Sequence, residues 1–254
     1  MFFILPVALF ALGAIIASFV GVLSARLSTG QGFLAGRSRC DACNTPLSPF
    51  SLVPIASYFV LGGRAHCCGA RISVLSPLTE LLLGALFVLA YLNLGLTLAF
   101  LFFLLSLSVL LALVLYDFAH QILPYPLLVL FVALCAAAGF FNAPSLNAFY
   151  SSLITALLIG TSLALIHFAS RGRAMGLADA PFAFGLALLA GPEAFSGFIF
   201  SFWIGAVIGI ALLYRRPRGS RIGIEVPFAP FLAAGFLLAY FTQWNLIALI
   251  TGSP

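Results

Sequence analysis

Apolar runs of about 20 residues recur along most of this chain, each long enough to cross a hydrocarbon core of roughly 30 Å as a helix rising 1.5 Å per residue. No other feature limits the fold so strongly. Charged residues make up only 7% of the 254 positions and apolar residues 63%, whereas an ordinary soluble domain is about a quarter charged. Such a chain has too few polar groups to cover a surface in water. The pattern predicts an all-α polytopic membrane protein with about eight transmembrane helices, at roughly 2–24, 75–92, 96–116, 124–141, 148–169, 177–191, 195–214 and 227–250.

The first run, Phe2 to Leu23, lacks a basic leading segment, and Arg26 lies just beyond its far end. It reads as an uncleaved first span rather than a secretory signal. Residues 25–74 form the one long polar stretch, rich in Gly, Ser, Pro and Arg, and hold four of the five cysteines. The expected organisation is a first helix (1–24), a cysteine-rich loop domain (25–74) and a seven-helix membrane domain (75–254).

Net charge is +5 with no lysine, but the placement of the arginines points to a membrane rather than to nucleic acid. Arg26, Arg37, Arg39, Arg64 and Arg71 fall in the first loop, Arg171 and Arg173 after the fifth span, and Arg215, Arg216, Arg218 and Arg221 after the seventh. With the N-terminus outside, all eleven arginines lie on the cytoplasmic side, as the positive-inside rule requires. The cysteine loop is then cytoplasmic, where arginines can contact anionic lipid.

Acids are scarce: Asp41, Glu80, Asp117, Asp179, Glu193 and Glu225. Glu80, Asp117 and Asp179 border or enter apolar segments, where an ionisable group costs about 2.5–3.5 kcal/mol at the bilayer centre. Glu80 is expected to pair with a loop arginine such as Arg71 or Arg64. Asp117 ends the third span and Asp179 opens the sixth, which puts both at one depth on the cytoplasmic side. Two carboxyls brought together in a low-dielectric site cannot both ionise easily, so one keeps a proton. The ionised partner can then take a proton from water while the protonated one polarises a peptide carbonyl, which is the chemistry of aspartic proteolysis. The plainer alternative for Asp179 is a helix N-cap. Asp117 has less structural excuse, because a negative charge at the end of its own helix opposes the dipole. Gly176 would allow close backbone approach just before Asp179. His120, three residues after Asp117, reads as a surface residue that contacts a headgroup, with tuning of the aspartate as the alternative; His167 reads as interfacial or packing, and Cys135, inside a span, as a small buried hydrophobe.

Six motifs in order resemble the type IV prepilin peptidase family (prepilin leader peptidase/N-methyltransferase), whose members are Gly-x-Gly-Asp membrane aspartic proteases. They are Ala17-Ser18-Phe19-Val20-Gly21-Val22 with Arg26, Arg37-Ser38-Arg39-Cys40-Asp41-Ala42-Cys43, Leu52-Val53-Pro54-Ile55-Ala56-Ser57-Tyr58, Arg71-Ile72-Ser73, Pro77-Leu78-Thr79-Glu80 and Pro227-Phe228-Ala229-Pro230-Phe231-Leu232. The family's Gly-x-Gly-Asp-x-Lys reads Gly176-Leu177-Ala178-Asp179-Ala180-Pro181 here, and its Leu-Pro-Asp reads Leu123-Pro124-Tyr125. The resemblance implies that Asp117 and Asp179 are the catalytic pair of an aspartic endopeptidase in the bacterial inner membrane. It would act on the leader peptide of type IV prepilins or of the pseudopilins of type II secretion. It also implies methylation of the new N-terminus with S-adenosylmethionine, although the chain carries no Gly-rich nucleotide fingerprint. The rival readings are a proton-coupled transporter using the same aspartates and a non-enzymatic assembly scaffold.

Cys40-x-x-Cys43 is half of a zinc-ribbon pattern. The family's second Cys-x-x-Cys would begin at Ala65, so Cys68 matches the fourth ligand while the third position is empty. Cys67, or else His66, could complete a tetrahedral set with Cys40, Cys43 and Cys68 around a structural zinc. A disulfide, or thiols left from a lost site, are the alternatives.

Overall fold

The computed structural model describes residues 4–27, 40, 42–46, 48, 53–173, 175–215 and 227–244. Arg37, Arg39, Asp41, Arg216, Arg218, Arg221, Glu225 and the last residues of the eighth expected span lie outside them. The described residues are helical: α1 (Ile4–Arg26), α2 (Ala56–Val60), α3 (Leu75–Leu94), α4 (Leu98–His120), α5 (Tyr125–Asn142), α6 (Leu146–Ser170), α7 (Asp179–Ala190), α8 (Ala194–Arg215) and α9 (Ala229–Thr242). They contain no strand, only an isolated antiparallel bridge between Arg64 and Arg71. Among the described residues, the apolar helices follow the expected hydrophobic runs, and six apolar helical stretches are long enough to cross a membrane. The chain is an all-α polytopic membrane protein.

Two compact units divide the chain, Met1–Gly95 and Leu96–Pro254. The first joins α1 and α3 to the cysteine loop between them, where the sequence placed a boundary at residue 75. Glycine explains the pairing. A Cβ on Gly13 would come within 2.8 Å of the Gly84 Cα, and one on Gly84 within 2.9 Å of the Phe10 carbonyl oxygen. In lipid there is little hydrophobic force between helices, and such backbone approach supplies the van der Waals contact that replaces it.

The second unit carries both aspartates. Its centre is α7, only 12 residues long, or about 18 Å. It is enclosed by its neighbours: Ala180, Phe182, Ala183 and every residue from Gly185 to Ala190 are buried. The stretch from Asp179 to Tyr214 is apolar throughout and folds as two helices, as the expected spans 177–191 and 195–214 had it. Gly191, at φ 62°, and a 3-10 turn over Gly191–Glu193 separate α7 from α8. Packing shows that the chain reverses there. α7 lies alongside α5 in the same direction, with Gly185 against Phe131 and Gly139 against the Leu188 carbonyl. α8 runs antiparallel to α9, with Gly197 against Phe236 and the Ser201 hydroxyl donating to the Leu232 carbonyl at 3.2 Å. Phe103 near the start of α4 stacks on Tyr240 near the end of α9, so α9 runs antiparallel to α4 as well. The start of α9, the end of α4 and the start of α7 therefore gather at one end of the unit.

Candidate functional site

Asp117 lies within the last turn of α4, which continues past the expected span edge to His120. The helix ends because Gln121 takes the left-handed conformation at φ 56° and returns its N–H to the Asp117 carbonyl at 2.8 Å. The Asp117 side chain is buried, with 6% of its surface exposed. Its Oδ2 accepts the backbone N–H of Ala229 at 3.2 Å. Ala229 is the first residue of α9, so the carboxylate sits at the positive end of a helix dipole and satisfies one of its orphan donors. The unfavourable position at the end of its own helix is thus offset by the start of another. Pro227-Phe228-Ala229-Pro230 carried this partner in the sequence, but nothing local tied it to a residue 112 positions earlier.

Asp179 is the first residue of α7, with Ala178 as the N-cap. It does not cap forward, as an N-cap aspartate would. Its Oδ2 reaches back to accept the N–H of Gly176 at 3.1 Å. A Cβ on Gly176 would stand 3.4 Å from that same oxygen, so the backbone approaches the carboxylate as expected but not so closely that a methyl is excluded. Ala178, where the family pattern has glycine, holds φ −67° and ψ −20°, a right-handed conformation open to any residue. Pro181 stands in the first turn, where its missing N–H would have had no helical partner.

Asp117, in the last turn of α4, and Asp179, at the start of α7, stand at the same end of the unit. Asp117 is buried and Asp179 only half-buried, so one acid lies deeper than the other. His120 is exposed and its ring packs on Tyr116, with centroids 4.4 Å apart. His167, read from sequence as interfacial or packing, bonds the Met175 carbonyl at 2.8 Å. Cys135 is fully buried, as expected of a small hydrophobe.

In the other unit, Cys40, Cys43, Cys67 and Cys68 converge, with every Sγ within 4.8 Å of the rest. Two matching turns bring them together. Asn44 donates its N–H to the Cys40 carbonyl and Gly69 donates to that of Ala65, both at 2.8 Å. Both turn residues are left-handed, at φ 57° and 70°. Ala65 therefore stands where a second Cys40 would, and Cys67, inside the turn, supplies the missing thiol. His66 is not in the cluster. The Cys40–Cys68 and Cys43–Cys67 sulfur separations are 3.7 and 3.3 Å. Four thiolates at about 2.3 Å from a tetrahedral zinc stand about 3.8 Å apart, so the set fits such an ion with small adjustment. Hydrogen bonds with the Thr45 hydroxyl and backbone hold the Cys43 thiol down at about 6, while its contact with Cys43 pushes Cys67 up to about 12. A metal would remove that inequality by deprotonating every ligand.

Glu80 is buried in α3. Its carboxylate accepts the N–H of Ile55 at 2.7 Å, a backbone partner in place of the arginine that the sequence suggested. Ile55 has φ 61°, a costly conformation for a β-branched residue. Glu80 thus pins the turn that leads into α2.

Fold and site together define a helical membrane protein with a carboxylate pair at one end of a helix bundle and a four-cysteine cluster in a loop between its first two membrane helices. Residues 11–94 match the family described as Bacterial Peptidase A24 N-terminal domain. A prepilin leader peptidase/N-methyltransferase of Bacillus subtilis (strain 168) is 31% identical over 245 residues, covering 94% of this chain and 95% of the relative. Enzymes of the same name from Myxococcus xanthus and Legionella pneumophila are 31% and 30% identical over 84% and 83% of the chain, which spans 64% and 74% of their lengths. No solved structure matches. The chain belongs to the prepilin leader peptidase/N-methyltransferase family.

Proposed function

We propose that this protein is a membrane aspartic endopeptidase that removes the leader of type IV prepilins or pilin-like precursors, including pseudopilins, with Asp117 and Asp179 as its catalytic pair. The placement of these two carboxyls at the same end of the second unit, each accepting one backbone N–H, supports the reading. The ionised carboxylate takes a proton from water, the oxygen adds to the scissile carbonyl, and the protonated partner donates to the developing oxyanion. Collapse of the tetrahedral intermediate breaks the C–N bond, and the proton taken from water passes to the leaving amine. The precursor's hydrophobic segment would enter the bilayer and its leader would stay in the cytoplasm. The arginine distribution supports this orientation, with the aspartates and the cysteine loop on the cytoplasmic side and the N-terminus outside.

Cys40, Cys43, Cys67 and Cys68 would hold a structural zinc. Bound there, the metal supplies folding energy to a loop with little core of its own. The relatives' name includes N-methyl transfer, for which S-adenosylmethionine is the expected donor. No described residue is tied to that cofactor by geometry. The deciding experiment incubates purified protein with a prepilin and S-adenosylmethionine and weighs the product. The expected mass is that of the chain cut at the leader junction, and one added methyl group would report the second activity. Asp117→Asn and Asp179→Asn are expected to leave the precursor intact, and processing at the wild-type rate by either would refute the pair.

A further inference from the structure

We propose that His167 is a positioning residue for Asp179, acting through the single peptide group that joins Met175 to Gly176. The proposal rests on Asp179 being catalytic. The observation behind it is that two hydrogen bonds converge on one peptide plane. The imidazole Nδ1 lies 2.8 Å from the Met175 carbonyl oxygen, and the Gly176 N–H donates to Asp179 Oδ2 at 3.1 Å. That C=O and that N–H belong to the same planar unit and point in opposite directions. A carbonyl only accepts, so Nδ1 carries the hydrogen in either charge state of the ring. The chain of bonds runs from imidazole to peptide to carboxylate, and each bond polarises the next. Rotation of this peptide would break both contacts at once.

The imidazole is itself fixed. The His167 backbone carbonyl accepts the N–H of Gly172 at 2.8 Å, and Arg171 and Gly172 turn the chain back with φ 53° and 76°. A Cβ on Gly172 would come within 3.3 Å of the ring's Cε1, so the turn passes directly over the ring. The Phe168 ring packs edge-on at 5.4 Å between centroids. Without the imidazole, the Met175–Gly176 peptide would lose the α6 side chain that holds its N–H toward Asp179. The carboxylate would then lose a donor that fixes which of its oxygens faces the reaction.

The test compares substitutions of His167 in the full-length protein with a prepilin substrate. His167→Phe keeps the ring's bulk and deletes the donor. It is expected to lower kcat by about 10- to 100-fold, the scale of an ångström-sized misplacement, with KM changed less than about threefold. His167→Asn places its amide nitrogen where Nδ1 stands and is expected to recover most of the lost kcat. His167→Gln, whose nitrogen lies one atom further out, is expected to recover less. A Phe variant with wild-type kcat, or Asn no better than Gln, would overturn the proposal. If the Phe variant does not fold, the Asn and Gln pair decides alone. Asp179→Asn in the same assay separates the two ideas: if it cleaves normally the peptidase reading fails, and if it is inert while His167→Phe is fully active only the positioning role fails.

Discussion

The two aspartates occupy the same end of one helix bundle, yet they are held in opposite ways. Asp117 is buried and bonded across 112 residues to the start of α9. Asp179 is half-buried and bonded to a glycine three positions earlier. The first is built into the packing of the bundle, and the second is set by a short loop and the histidine behind it. A carboxylate fixed by tertiary packing cannot move without moving a helix. One fixed by a loop can be re-aimed by a single peptide rotation. The difference assigns rigidity to one member of the pair and adjustability to the other.

The largest expected effect treats both alike. Asp117→Asn and Asp179→Asn should each lower prepilin cleavage by about 10²- to 10⁴-fold, the usual worth of a general acid or base, measured by product mass against time. The same contrast between local and distant partners applies to the thiols. Cys67→Ser should lose most of the bound zinc while His66→Ala keeps it, read by elemental analysis of the purified protein. Stability should then part the two aspartates. Asp117→Ala removes a buried capping group and should cost about 0.5–2 kcal/mol, whereas Asp179→Ala should cost less, as followed by thermal unfolding in detergent. Ala229→Pro deletes the distant N–H at a first-helical position that accepts proline. It should slow cleavage by about tenfold, in line with the worth of a hydrogen bond to a charged group. Gly176→Ala keeps the local N–H and adds a methyl at ordinary contact distance, so its rate should stay within about threefold of wild type. A large loss there would show that the Asp179 loop is as tightly packed as the Asp117 end.

Much of this was legible in the residues. Continuous apolar runs located the helices, because burial in lipid is a property of each segment's own composition. Scarcity drew attention to Asp117 and Asp179, since a carboxyl in an apolar chain must have a reason. The four cysteines were legible as a set, with Cys67 and His66 competing for one position. Other features were not. Glu80 was assigned an arginine on charge grounds, but a backbone N–H that would otherwise be orphaned binds it. His167 offered only an interfacial or packing role, because the peptide it grips is eight residues away and becomes its neighbour only when the chain folds back at Arg171 and Gly172.

Sequence alone determined that this chain lives in a membrane, where its helices run, and which acids stand out. These follow from transfer energies that add residue by residue along the chain. Tertiary structure alone decided that α7 is enclosed by its neighbours and that α8 packs antiparallel to α9. It also decided that Asp117 meets the start of α9, that Cys67 fills the gap left by Ala65, and that His167 reaches Asp179 through one peptide. Those outcomes depend on which distant backbone groups arrive at the same place, and hydrogen bonds of about 3 Å leave no trace in composition.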